Sequence, residues 1–146
     1  MDFRAASPPA AKAIADLHAY VHRCGLEHGL LELIKLRASQ LNGCAHCIDM
    51  HTKELRADGE SEQRLYLLDA WRESPFYSER ERAALAWTEA LTLLADSHVP
   101  DDVYAAARAE FSESEVVDLT MAVVAINGWN RLMVSFRIPP RIARND

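Results

Sequence analysis

Glycine is scarce in this chain. There are five in 146 residues, and none sits in a tight turn between alternating strands. Asn42-Gly43 and Asp58-Gly59 do occur, but both flank segments of helical period, so they read as helix ends rather than hairpins. No glycine-rich phosphate loop is present, which removes a nucleotide, nicotinamide or flavin site of the usual kind. Internal repeats are absent too. No apolar run approaches the ~20 residues of a membrane span. The N-terminal "MDFRAASPPAAKA" has no apolar stretch of the signal-peptide type, so a cytoplasmic location is expected. Positive charge is in deficit: 16 Lys and Arg against 22 Asp and Glu give a net charge of −6. That balance argues against a nucleic-acid partner. Three cysteines are too few for a disulfide scaffold in a chain of this length. In the cytosol a close cysteine pair is more often catalytic than structural.

What is present is an ordinary globular composition, 49% hydrophobic and 26% charged. One domain over residues 1–146 is the natural division, large enough to bury a core without crosslinks. Apolar residues recur at three- and four-residue spacing almost throughout, the period of helices. A first helix is expected from just after Pro8-Pro9 to about Cys24, with Ala13, Leu17, Tyr20 and Val21 inward and Gly25 as its stop. A second covers 28–41 with Leu30, Leu33, Ile34 and Leu41 as its apolar side, broken by Asn42-Gly43. A third covers 45–58, and a fourth runs from Ser61 to Trp71. Ser78 with Glu81, and Ser112 with Glu115, have the spacing of capping boxes at two further helix starts. Leu85, Thr88, Leu91 and Leu94 should share one face, and another helix should follow Pro100. The last pair is read as 113–126 and 127–135, followed by an irregular tail, "RIPPRIARND". The expected fold is all-α with seven to eight helices, and the CxxC lies at the N-terminus of a central one.

"NGCAHCIDMH", residues 42–51, carries the chemistry. Cys44 falls at a helix mouth, where unpaired backbone amides favour a thiolate. Cys44 and Cys47 are three apart, within disulfide reach at a helix start. Cys47 and His51 are four apart and share a face, whereas Cys44 and His51 are two turns apart. His51 is therefore the natural base for Cys47, and Ile48 and Leu55 continue that face into the core. Cys47 would be the attacking sulfur and Cys44 the one that closes the disulfide. Two other readings stand beside this one. Both thiols could simply pack as small hydrophobes. Cys44, Cys47 and His51 could also hold zinc with His46 or Cys24, although no second CxxC or HxxxH supplies a matching ligand pair. A c-type haem is excluded, because Ile48 stands where CxxCH needs histidine.

The stretch "ELIKLRASQLNGCAHCIDMHTKE", residues 32–54, resembles the signature of the alkylhydroperoxidase D-like proteins of the carboxymuconolactone decarboxylase superfamily. That signature is a glutamate, eleven residues, CxxC, three residues and a histidine, and Glu32, Cys44, Cys47 and His51 meet every spacing. His46 matches a more variable histidine between the cysteines, and "INGWNRLMVSFR" is similar to the closing helix of single-domain members. The resemblance implies an all-helical, cofactor-free peroxidase acting on hydrogen peroxide or organic hydroperoxides in antioxidant defence. It implies a peroxidatic Cys47, a resolving Cys44, and a proton relay of Glu32 and His51 with His46 as an auxiliary. An external thiol reductant, a lipoyl or thioredoxin-like protein, would regenerate the pair. It further implies a homo-oligomer, with a hexamer as the first expectation and a trimer as the second. A thiol redox sensor with little turnover is the alternative. A lactone decarboxylase is a lesser one, since those enzymes generally lack the CxxC.

Other residues are read more plainly. His28 and Glu32 have the spacing of a helix-surface pair. Lys35 and Arg37 are solvated charges or local aids to a thiolate. His18, His22 and His98 carry no assigned function. Trp71, Trp87 and Trp129 are read as core or interface residues. Cys24 is read as packing, and Asn130 as a polar side chain near the site without an assigned role. The apolar "WNRLMVSF" suggests a subunit contact.

Overall fold

The computed structural model describes residues 1–140. These form α1 (Phe3–Ala6), α2 (Pro8–Val21), α3 (His28–Leu41), α4 (Ala45–Ala57) and α5 (Glu62–Tyr66). A 3-10 turn (Leu68–Ala70) leads to α6 (Glu79–Thr92), α7 (Leu94–Ser97), α8 (Asp101–Glu110) and α9 (Glu113–Ser135). No strand occurs among the described residues. The all-α expectation holds, with nine α-helices among the described residues rather than seven or eight because α1 and α7 are single turns. Of the expected irregular tail, residues 138–140 are without regular structure and 141–146 lie outside the described residues.

Local chemistry sets the boundaries. Ser78 and Ser112 accept from the backbone N–H of Glu81 and Glu115, whose carboxylates accept from the serine N–H in return, completing both capping boxes. Pro8 fits the first turn of α2, where its missing N–H costs nothing. That helix ends at Val21, earlier than the sequence suggests, and Gly25 (φ +98°) serves the turn beyond it. The segment 61–71 is one short helix and a 3-10 turn rather than a single helix. Leu94 lies past the end of α6 and is exposed.

The largest departure is α9. It runs unbroken from Glu113 to Ser135 where two helices were expected. Gly128 does not end the helix; it marks a close approach. A Cβ there would come within 2.9 Å of Ile14 Cδ1 on α2. The glycine lets the two helices pack closely.

α3 lies at the centre, in contact with α4, α6 and α9. Every residue from Leu30 to Ser39 is buried, so α3 has no solvent face over that stretch. Leu31 and Ile34 pack with Trp87 and Leu119, while Leu33 and Leu36 pack with Leu55, Leu68 and Leu85. A third cluster joins Phe3, Cys44, Cys47 and Met133, so α1 and the end of α9 cover the cysteines. No helix of the described residues is long and apolar enough to cross a membrane.

Candidate active site

The CxxC is built on the turn between α3 and α4. Gly43 turns the chain with φ +63°, a conformation that disfavours side chains. Cys44 is the N-cap of α4, and its sulfur accepts from the Cys47 N–H at 3.4 Å. The two cysteines form a disulfide, with their Cα atoms 5.3 Å apart. Both are 1% exposed. The turn is held from outside by α9. Asn42 Nδ2 donates to Asn127 Oδ1 (3.0 Å) and Asn130 Oδ1 (2.8 Å), and Asn130 Nδ2 donates to Ser39 Oγ (3.0 Å). Asn130 therefore has a definite structural place: it braces the residues before Cys44.

One turn beyond Cys47 lies His51, which is fully covered. Its Nδ1 donates to Glu32 Oε2 at 2.8 Å and to Glu54 Oε2 at 3.0 Å. These bonds fix the tautomer and leave Nε2 as the nitrogen available to a ligand. Glu32 also accepts from Lys35 Nζ at 2.7 Å, and Lys35 donates in turn to His22 Nε2 at 3.1 Å. Burial alone would push the Glu32 carboxyl up. The hydrogen bond from His51 and the charge and hydrogen bond of Lys35 outweigh it and hold Glu32 down to about 2. Glu54 moves the other way, raised by burial and by the charge of Glu32. His18 is lowered to about 4 by burial and by Lys35, and His22 is lowered for the same reasons.

Cys47 and His51 line one cavity of about 190 Å³, closed on its apolar side by Met50, Ile126 and Met133. Cys44 does not line it. A second cavity of about 320 Å³ reaches Glu32, Glu54, His22 and His28. His18, Lys35, Met50 and His51 line both. A layer of basic side chains thus divides the sulfur side from the carboxylate side.

All five residues singled out from the sequence fall in this region. Glu32 and His51 are bonded directly, Cys44 and Cys47 covalently, and His46 lines the first cavity with its Nδ1 donating to Pro139 O at 2.9 Å. Several other readings need correction. His28 pairs with Asp58 at 2.9 Å, not with Glu32, because Glu32 faces inward. Lys35 is buried and ion-paired to Glu32 rather than solvated. Arg37 is buried elsewhere, bonded to Glu89 (2.8 Å) and Asp69. Tyr20 stands outward, where its hydroxyl bonds Asp118. His18, His22 and Trp129 belong to the cavities. The sequence reading did not single out Glu54, although it stands three residues past His51, the same spacing by which Lys35 follows Glu32.

In this structure Cys44 and Cys47 bond each other and offer no pair of thiolates to zinc. Cys24 instead donates to Val21 O at 3.0 Å. Glu32, His51 and Glu54 bring ligand atoms within 4.8 Å of one another, but Lys35 already occupies the carboxylate that a cation would need.

A buried imidazole–carboxylate pair thus lies behind a helix-capping CxxC in an all-helical fold. The chain belongs to the carboxymuconolactone decarboxylase family, whose model matches residues 8–90, a span holding Glu32, both cysteines and His51. It is 43% identical over 129 residues to the uncharacterized protein YdfG of Bacillus subtilis (strain 168), covering 88% of each chain. A crystal structure from Agrobacterium tumefaciens superposes with a TM-score of 0.95 at 50% identity, covering 98% of each chain. That protein is of unknown function, with an AhpD-type antioxidant-defence role ascribed to it. The debrominase Bmp8 shares the fold at a TM-score of 0.77 and 18% identity, over 94% of this chain and 73% of its own.

Proposed function

We propose that this protein is a thiol-dependent peroxidase that reduces hydrogen peroxide or small organic hydroperoxides through Cys44 and Cys47. One observation carries the reading. Cys47, already bridged to Cys44, opens onto a cavity shared with His51, and His51 is held from behind by Glu32. The A. tumefaciens relative, with its ascribed antioxidant role, supports the same direction.

In the reduced state His51 Nε2 takes the Cys47 thiol proton. The thiolate attacks one peroxide oxygen, forming an S–O bond as the O–O bond breaks. The departing alkoxide or hydroxide takes the proton back from His51 and leaves as alcohol or water. Cys44 then attacks the Cys47 sulfenic acid, the S–S bond forms and water departs. The neighbouring thiol gives this trap a high effective concentration, ahead of irreversible over-oxidation. An external dithiol, carried by a lipoyl or thioredoxin-like protein, reduces the disulfide by exchange. Glu32 stays ionised throughout and orients the imidazole. His46 stands at the same cavity as an auxiliary side chain.

The reading extends to a homo-oligomer, with exposed Val117, Val124 and Val134 on α9 as the contact. Light scattering tests it; a monomer at micromolar concentration would remove that part.

The main test is peroxide consumption by the purified protein with dithiothreitol, dihydrolipoamide or reduced thioredoxin, coupled to mass analysis of the peptide holding both cysteines. Donor-dependent turnover with reversible loss of two hydrogens from that peptide is expected. Consumption that ignores the donor, or a peptide that never oxidises, would sink the proposal.

A further inference from the structure

The first cavity has an unusual lining for a chain of net charge −6. Apart from Cys47 and Trp129, each polar side chain on its wall is basic: Arg4, His18, Lys35, His46 and His51. No carboxylate lines it. These bases are not equivalent. Lys35 is matched by Glu32 at 2.7 Å. His18 is neutral at pH 7, since burial and Lys35 lower it to about 4. Arg4 is the charge left over. Its guanidinium forms no salt bridge among the described residues. The side chain of Asp2, two residues earlier, accepts from the Arg4 backbone N–H at 2.9 Å instead. The guanidinium rests 4.8 Å from the Phe3 ring centre and 6.0 Å from that of Trp129. Such stacking leaves its N–H groups free to bind an anion. A second donor is idle nearby: Trp129 Nε1 is buried and has no hydrogen-bond partner among the described residues. An indole N–H can only donate, and a buried donor ordinarily finds an acceptor.

We propose that this cavity binds an organic hydroperoxide bearing a carboxylate, with Arg4 as the anchor for the acid group and the Met50, Ile126 and Met133 wall for the carbon skeleton. The reacting group rests on the peroxidase reading; the acid-binding half does not. At about 190 Å³ the cavity suits a small acid rather than a drug-sized molecule. Anchoring at Arg4 directs the other end of the molecule towards Cys47. A fixed cation facing an apolar, partly closed space also concentrates anions.

Binding is tested without turnover, on the disulfide form. Calorimetry compares 4-isopropylbenzoate with its methyl ester against wild type, Arg4→Gln and Arg4→Lys. Wild type should favour the acid roughly tenfold, as one charge-assisted contact warrants. That preference should vanish in Arg4→Gln, return in part in Arg4→Lys, and shrink with added salt. Equal binding of acid and ester, or a preference that survives Arg4→Gln, would overturn the proposal. The matching hydroperoxides, 4-carboxycumene hydroperoxide and its methyl ester, are then compared by kcat/KM. Selective binding of the benzoate without reduction of either hydroperoxide would uphold the acid site and defeat the peroxidase reading alone.

Discussion

His51 and Glu32 meet at 2.8 Å across nineteen residues of sequence, one side chain from α4 and the other from α3. Both are buried, and Lys35 stands on the opposite oxygen of the same carboxylate. A carboxyl held near 2 does not receive a proton at neutral pH. In the proposed relay Glu32 is therefore a fixed anion that aims the imidazole, and protons pass through His51 Nε2.

Glu32→Gln keeps the shape and removes the charge. Peroxide turnover should fall by about tenfold to a hundredfold in kcat, with KM nearly constant, since the residue acts on His51 and not on substrate. Steady-state kinetics decide it; a change confined to KM would count against the positioning role.

The same substitution strips Lys35 of its counter-charge. Leaving a buried ammonium unpaired costs about 3 kcal/mol. Lys35→Met should recover part of that loss when combined with Glu32→Gln, so the double variant should be more stable than Glu32→Gln alone. Urea denaturation of the four proteins gives the coupling, and additive effects would contradict the ion pair.

Acid should weaken the fold in two stages. His18 has its folded value lowered from 6.5 to about 4, so below pH 6.5 the unfolded chain binds a proton that the folded chain refuses. Stability then drops as pH falls towards 4. Glu32, lowered from 4.5 to about 2, contributes stability that is present above 4.5 and lost as pH falls towards 2. A melting series from pH 8 to about 3 should show both declines. His18→Gln should reduce the first, leaving the share that the lowered His22 contributes, and leave the second; an unchanged upper slope would rule out His18 as a source.

Cys47→Ser should abolish peroxide turnover. Cys44→Ser should leave a Cys47 that oxidises once and stalls as the sulfenic acid. A dimedone adduct on Cys47, found by mass analysis, identifies that state. Adduct formation on Cys44 in the Cys47→Ser protein at the wild-type rate would reverse the two roles.

Gly128→Ala tests the helix crossing. The new methyl meets only the tip of Ile14, a side chain that can rotate, and alanine gains about 1 kcal/mol of helix propensity over glycine. Thermal melting should detect little net change. Gly128→Leu should lower the melting temperature clearly, because the larger side chain overpacks the contact between α2 and α9.

Much of this was legible in the sequence because it is local. α3 was placed at residues 28–41 and α4 within one residue of its end, since Asn42-Gly43 and Gly59 punctuate them. Capping boxes at Ser78 and Ser112 are four-residue patterns and were equally visible. Cys47 and His51 follow from one helical turn. Glu32 does not: its partner lies on another helix, and only the family resemblance pointed to it. Lys35 escaped because a helix buried on every side hides its charged residues among leucines, and periodicity then has no outer face to report. His18 and His22 escaped because they come from α2 and its C-cap, far in sequence from the cysteines whose cavities they line. The break expected in α9 between residues 126 and 127 is absent, and Gly128 sits inside the helix because it is pressed against α2.

The two asparagines of α9 that hold Asn42, and with it the turn before Cys44, have one more consequence. Redox signalling requires two shapes for a listener to tell apart. Here the turn before Cys44 is tied to α9, the longest helix among the described residues, so any large shift of that turn on parting the sulfurs would have to break these bonds. Such a protein is better suited to repeat a reaction than to announce that one has happened.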